Sequence, residues 1–257
     1  MKFLRFSILL MLSAIITLPV LAQEQPATKL VVRAIARDAK FIGSSMGGAL
    51  IVVREAETGT MLARGFTAGS TGDTGRLMRT DRTRQMQLST PGAALFETSL
   101  AIEEPTFVTI EATAPHAQRQ SHATVSTQLW MIPGKDITGD GIILEIPGFS
   151  VDLLQPQAHE TAGGTPISIT ANVVMMCGCP TEPGGLWDSS EYEIAAWVKK
   201  GGKTVAEVPM SFAGKESTYE GSFTPEENGS YEITVYAYHA KTGNTGVDRT
   251  TVTVQGR

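Results

Sequence analysis

The chain has 257 residues, 42% of them hydrophobic, and a formal net charge of −5. This acidic balance argues against a nucleic-acid-binding protein, which needs a basic face, and against electrostatic docking on anionic lipid. The length predicts one or two domains.

Residues 1–22 have the pattern of a secretory signal peptide. Lys2 and Arg5 supply the positive start, a nearly continuous apolar run follows to Leu21, and small residues precede Gln23. The alternative is an uncleaved membrane anchor, but the apolar run is shorter than the roughly 20 residues of a membrane span. We therefore expect a periplasmic or secreted protein that begins near Gln23, with no membrane span after cleavage. In such an oxidising compartment, paired thiols tend to form a disulfide or to bind metal.

The segment 27–155 alternates apolar and polar residues and contains turn signals, which predicts strands rather than helices. Within it, "GALIVVREAETGTMLARGFTAG" has the pattern of two strands joined by a turn at Glu57-Thr58-Gly59. The stretch Gly47–Gly75, with its two strands and following Gly-rich turn, resembles the transthyretin-like modules of secreted and periplasmic proteins. That resemblance implies a β-sandwich that supports or binds rather than catalyses.

A polar segment rich in glycine and proline, 156–164, predicts a linker between domains. After it, residues 165–255 contain about seven strand patterns, the density of a β-sandwich. Trp197 and the strand Gly229–Ala240 resemble those of immunoglobulin-like and fibronectin-like domains. The predicted fold class is all-β: two β-sandwich domains, a transthyretin-like one followed by an immunoglobulin-like one.

The stretch "MMCGCPTEPGGLW" holds both cysteines of the chain, Cys177 and Cys179, separated by Gly178. Two thiolates at this spacing can face one ion, because glycine lets the backbone fold tightly between them. Met175 or Met176 could add a thioether, and this soft ligand set fits Cu(I) best. Two alternatives stay open: a labile disulfide that acts as a redox switch, and a pair that fixes a loop.

The Cys-x-Cys on an exported sandwich is similar to that of the copper chaperones of cytochrome oxidase assembly, which implies transfer of copper to an acceptor protein. If the second half is an immunoglobulin-like sandwich, the cysteines lie in the loop between its second and third strands. That loop and the one after the sixth strand cluster at one end of the fold. His239, at the end of the predicted sixth strand, is then the best candidate for a non-sulfur ligand.

The chain contains no Gly-x-Ser-x-Gly and no His-Glu-x-x-His motif, so we expect no enzyme. The favoured function is an exported binding or accessory protein with a soft-metal site at Cys177 and Cys179, in the specific form of copper handling. One alternative is a structural or adaptor protein whose sandwiches bind another protein or a surface polymer. The other alternative is a thiol-disulfide protein. The expected partners are a metal-acceptor protein or a surface or periplasmic protein.

Overall fold

The computed structural model describes residues 27–163 and 166–256. The predicted signal peptide and its cleavage before Gln23 therefore lie outside the described residues. Within them, no helix combines the length and the apolar character that a membrane crossing requires.

The first part of the chain forms a β-sandwich of two sheets, in the orders β3-β2-β5-β6 and β4-β1-β7. All neighbouring strands are antiparallel except β1 and β7, which are parallel. The two sheets enclose alternate side chains of the central strands β2 and β5, which are fully buried. The strands are β1 (Thr28–Ala36), β2 (Leu50–Glu55), β3 (Met61–Phe66), β4 (Phe96–Leu100), β5 (Thr106–Ala114), β6 (Ala123–Met131) and β7 (Ile137–Ile146).

The second part forms another sandwich, with sheets in the orders β13-β14-β10-β8 and β12-β11-β15-β16-β9. With β8, β10, β11, β13, β14, β15 and β16 as strands A to G in order, the sheets have the immunoglobulin arrangement of ABED facing CFG. The strands are β8 (Phe149–Gln155), β9 (Glu160–Ala162), β10 (Ile167–Met175), β11 (Glu193–Lys200), β12 (Lys203–Pro209), β13 (Ser211–Phe212), β14 (Thr218–Phe223), β15 (Gly229–His239) and β16 (Asn244–Val254).

Short helical turns occupy some of the connections. Three are 3₁₀ turns and one, in the long connection between β3 and β4, is a π turn. They are Ser44–Met46, Arg119–Ser121, Ser189–Glu191 and Gly75–Arg79. The prediction of an all-β protein with two sandwiches is confirmed, whereas the transthyretin-like character of the first one stays a prediction.

The strand pairings correct the predicted domain boundary. Strand β8 was expected at the end of the first domain, but it pairs with β10 of the second sandwich. The predicted linker 156–164 contains β9, which pairs in parallel with β16. The chain passes from one sandwich to the other at Pro147-Gly148, where Gly148 has a φ of 117° that favours glycine. The glycine- and proline-rich segment is therefore a turn inside the second sandwich. Strand A of this sandwich is split into β8 and β9, which join opposite sheets, and the turn connects them.

The two sandwiches pack directly against each other. Their buried apolar side chains form one continuous cluster. Hydrogen bonds also cross the junction: Gln120 Nε2 donates to the Val151 carbonyl at 3.0 Å, and Asn244 Nδ2 donates to the Arg37 carbonyl at 3.2 Å. The junction is therefore a packed interface rather than an exposed linker.

Candidate functional site

The Cys-Gly-Cys stretch forms a tight turn directly after β10. The Gly178 amide donates to the Met175 carbonyl at 2.7 Å, and the Met175 amide donates to the Cys179 carbonyl at 3.0 Å. Gly178 has a φ of 78°, which explains why a glycine lies between the cysteines. Cys177 and Cys179 form a disulfide, with their Cα atoms 5.4 Å apart. The predicted position in the loop between strands B and C is confirmed.

The turn is buried in the interface between the sandwiches. The exposed fraction is 1% for Cys177 and 4% for Cys179. A Cβ atom at Gly178 would lie 2.7 Å from Met46 Sδ, so this methionine of the first sandwich packs directly on the turn. Further along the same loop, Trp187 Nε1 donates to the Asp38 carbonyl at 2.9 Å across the interface. The cysteine turn is therefore part of the interface between the sandwiches. Transfer of metal to a partner protein would instead require a loop that is open to solvent.

His239 ends strand β15 as expected, but its ring is held by residues other than the cysteines. Its Nδ1 lies 3.0 Å from Thr242 Oγ1, its Nε2 lies 3.5 Å from Glu191 Oε2, and its ring packs 4.9 Å from the ring of Tyr192. The side chain is 6% exposed. This histidine belongs to a polar cluster at the interface, and none of these contacts joins it to a sulfur.

The other predicted ligands, Met175 and Met176, are both buried apolar residues. Met175 is the last residue of β10 and is fully buried in the core, and Met176 packs beside Gly148 at the chain crossing. Among the described residues, no group of three or more His, Cys, Asp or Glu side chains is arranged to hold a metal ion. With the thiols joined in a disulfide, the donor set does not fit a soft cation in this arrangement. The Cu(I) site stays a prediction for the reduced protein.

Sequence reasoning missed Met46 as a neighbour of the cysteines. It lies about 130 residues before them in the chain, in a short 3₁₀ turn with no motif of its own. No local pattern signals this contact, because it depends on how the two sandwiches pack.

A second candidate site lies on the outer face of the five-stranded sheet. The strand register places Trp197 of β11 beside Thr234 of β15. Tyr236 is two residues further along β15 and therefore lies on the same face of the sheet. The rings of Trp197 and Tyr236 pack with their centroids 4.9 Å apart and planes tilted by 44°. Together with Tyr238 and Val247, they line a groove of about 400 Å³. We call this set of four side chains the aromatic face.

The aromatic face is exposed in the described chain. Trp197 is 42% exposed, and Tyr238 and Val247 are each 39% exposed. Single exposed apolar residues are ordinary, but a contiguous group on one sheet face is a candidate interaction surface. The sequence carried one usable signal for it, the alternation of Thr234, Tyr236 and Tyr238 along β15, but could not say which side of the sheet faces solvent.

Two carboxylates, one on β11 and one on β12, lie beside the aromatic face. The Tyr236 hydroxyl donates to Glu193 Oε1 at 2.5 Å and lies 3.4 Å from Glu207 Oε1. The pKa of Tyr236 is raised well above its ordinary value by desolvation and by these two neighbouring carboxylates, so the hydroxyl stays protonated and remains a donor. Lys199, Glu232 and Arg249 also line the groove, which therefore carries charges of both signs.

Comparison with known proteins assigns no family to the chain. No protein-family model and no curated protein matches it. Similar solved structures include an engineered protein, at 17% identity and a TM-score of 0.33, which aligns over 49% of this chain and 24% of its own. The chain thus spans about a quarter of that protein's length.

Two further solved structures align over most of both chains. The fibronectin(III)-like modules of CbhA from Clostridium thermocellum share 12% identity, at a TM-score of 0.30, over 91% of this chain and 93% of theirs. Dpr2 Ig1-Ig2, solved in complex with DIP-Theta Ig1-Ig3, shares 8% identity, at a TM-score of 0.31, over 90% and 100%. At such identities and TM-scores these proteins assign neither a partner nor an activity to this chain. Its fold is defined by its own strand pairings.

Proposed function

We propose that this chain is an exported, non-catalytic binding protein, and that the aromatic face of its second sandwich is the partner-binding surface. The observation that carries the proposal is the contiguous group of Trp197, Tyr236, Tyr238 and Val247 on one sheet face, in which all but the half-buried Tyr236 are exposed. Tryptophan and tyrosine are the residues that most often dominate the energy of protein interfaces. Export is supported by the Cys177–Cys179 disulfide, since disulfides persist in oxidising compartments.

The chemistry of the groove favours a protein segment that presents an arginine or lysine beside an apolar residue. Glu193 and Glu207 place negative charge next to the Tyr236 hydroxyl. A cationic side chain can lie over an aromatic ring and pair with a carboxylate at the same time. An apolar neighbour of that cation would contact Trp197 or Val247. The net charge of −5 agrees in sign with a basic partner segment.

Nuclear magnetic resonance titration with two short synthetic peptides tests this proposal. One peptide has the sequence Gly-Arg-Leu-Arg-Gly, and the other replaces both arginines by glutamate. We expect the basic peptide alone to shift amide signals of β11, β15 and β16. Glu193→Gln combined with Glu207→Gln should weaken that binding, and Trp197→Ala should abolish it.

The matched control is Trp130→Ala, because Trp130 is also exposed, by 58%, but lies on the first sandwich. This variant should bind the basic peptide like the wild type. Equal shifts with both peptides, or equal losses in the two tryptophan variants, would contradict the proposal.

Copper handling stays a second proposal, supported by the sulfur content of the interface. Met46 Sδ lies against the turn that carries Cys177 and Cys179, so a reduced pair would have a thioether nearby. A Cu(I) competition assay against a chelator, with reduced and oxidised protein, tests it. Tight binding in reduced wild type but not in Cys177→Ser or Cys179→Ser is expected. Equal affinity in all three reduced proteins would exclude the site, and an unchanged His239→Ala variant would remove the histidine from it.

A further inference from the structure

Strand β6 is an unusually regular and uncovered sheet edge. Within the described residues it has a hydrogen-bonded neighbour on one side, β5, and all nine of its residues pair with that strand without a register shift. β7 follows in the chain but belongs to the other sheet. Among the strands that the structure describes, none pairs with the side of β6 that faces away from β5, so the backbone amides and carbonyls on that side can form a ladder with another strand.

The side chains of β6 also show that this edge of the core is open. In the neighbouring β5, the inward residues Val108 and Ile110 are fully buried. On β6, the inward residues Val125 and Leu129 pack on the core but are only partly buried. On the outer side, Trp130 is 58% exposed and packs on Phe107 with ring centroids 5.1 Å apart. An additional strand would cover these partly buried groups.

The other edge strands of the described residues carry features that discourage pairing, whereas β6 has no charged residue, proline or glycine. Each of the others is short, carries a charge, or has a register irregularity. They are β3 with Arg64, β4 with Glu97, β7 with Asp140 and Glu145, β8 with Asp152, β9 with three residues, β12 with Lys203, Glu207 and Pro209, and β13 with two residues.

We propose that β6 pairs with β6 of a second copy of this chain, in antiparallel orientation around Thr127, to form a continuous eight-stranded sheet. The strand is self-complementary in that register. The facing pairs are then Ser126 with Gln128, Thr124 with Trp130, and Val125 with Leu129. The first pair is polar, the last is apolar, and none contains a charge. About eight to ten backbone hydrogen bonds would form along the nine-residue pair, two at each hydrogen-bonded position.

Charge favours a second copy as the occupant of this edge. A charge at the central position, or like charges at two positions that face each other in this register, would destabilise a symmetric pair. β6 has none, and the nearest acid on the same face is Glu111 of β5, opposite Ser126. The two copies of Glu111 would be separated by three strand spacings, about 14 Å. That exceeds the screening length of about 8 Å at physiological ionic strength, so they repel little.

Analytical ultracentrifugation of the full chain over a wide concentration range tests the proposal. Wild type should form a dimer. The double variant Ser126→Lys, Gln128→Lys would place two pairs of lysines opposite each other and should weaken the dimer at least about tenfold. Both positions are exposed, so the fold should tolerate the change. The variant Ser126→Glu, Gln128→Glu should fail in the same way.

The decisive arm is the mixture of the two double variants, which should restore a dimer because each lysine then faces a glutamate. Hydrogen exchange should show that the β6 amides pointing away from β5 are protected in wild type and in the mixture, but not in either variant alone, whereas the amides bonded to β5 stay protected in all samples. Val205→Lys, on the edge strand β12, is the control and should dimerise like wild type. A wild type that stays monomeric would overturn the proposal and leave the edge to a strand of another protein. A dimer that survives both double variants would also overturn it. Neither result bears on peptide binding at the aromatic face.

Discussion

The cysteine turn and the aromatic face lie on the same sandwich, but they differ in how visible they are in the sequence and in how far the fold exposes them to solvent. The cysteine turn has the most unusual composition in the chain, but the fold buries it against Met46 of the other sandwich. The aromatic face is spread over β11, β15 and β16 in ordinary strand sequence, but it is open to solvent. The unusual residues of this chain thus lie where the two sandwiches pack closely, whereas the aromatic face is built from residues of three separate strands.

The two tryptophans of the second sandwich give the largest expected contrast between these regions. Trp187→Ala should lower the free energy of unfolding by about 3–5 kcal/mol, because it removes a buried ring and its hydrogen bond to the Asp38 carbonyl. Trp197→Ala should lower it by less than about 1 kcal/mol, because that ring is 42% exposed. Urea unfolding followed by circular dichroism measures both. Similar losses in the two variants would remove the distinction between buried loop and exposed face.

The fit of the cysteine turn against the first sandwich can be tested at Gly178. Gly178→Val should destabilise the protein by about 2–4 kcal/mol, because φ is 78° and the new Cβ would meet Met46 Sδ at 2.7 Å. The matched control is Gly201→Val, at a φ of 57° with no atom within 4 Å of a Cβ. It should lose about 1–2 kcal/mol for the backbone alone. Equal losses, measured by urea unfolding, would show that Met46 adds no packing constraint.

The disulfide itself should contribute only modestly to the free energy of unfolding. Replacing Cys177 and Cys179 together by alanine should lower the free energy of unfolding by about 1–3 kcal/mol, because so short a loop removes little chain entropy and the lost sulfurs are small. Reduced wild type keeps the sulfur atoms, so its free energy of unfolding should lie between those of the oxidised wild type and the double alanine variant. Thermal unfolding with and without a phosphine reductant gives the comparison. Loss of folding in the double variant would make the disulfide the main support of the interface.

The smallest expected effect is at Asp38, on the first sandwich beside the interface cluster. Desolvation raises the pKa of its carboxyl above the ordinary 3.8; His239 opposes the rise, and Glu191 and Glu145 add to it. Because the folded-state pKa is raised, stability falls as the pH rises from the unfolded-state pKa to the folded-state pKa, and the full cost of the ionised form is present above the folded-state value. Asp38→Asn should therefore stabilise the protein at pH 7 by at most about 0.5 kcal/mol. The gain should vanish at a pH below 3.8, as melting temperatures across pH would show, and a gain that grows on acidification would contradict this sign.

The amino-acid sequence determined the fold class and the local geometry of the turns. Period-two alternation predicts strands wherever one face of a sheet is buried, and Gly178 between two cysteines predicts a tight turn. The position of the cysteines between strands B and C followed from counting strands, since the order of strands in such a sandwich is nearly fixed by its topology.

Tertiary structure alone decided which surfaces are open and which are covered. Nothing local distinguishes Trp187, which lies under the interface, from Trp197, which lies on the aromatic face. The predicted linker became part of the second sandwich, because Glu160–Ala162 found a hydrogen-bonding partner in β16, far away in sequence. His239 lies at the predicted end of the sandwich, but its ring contacts Glu191 and Thr242 and not the cysteines. Burial and partner choice depend on contacts between distant segments, and sequence periodicity carries information only about neighbours within one strand.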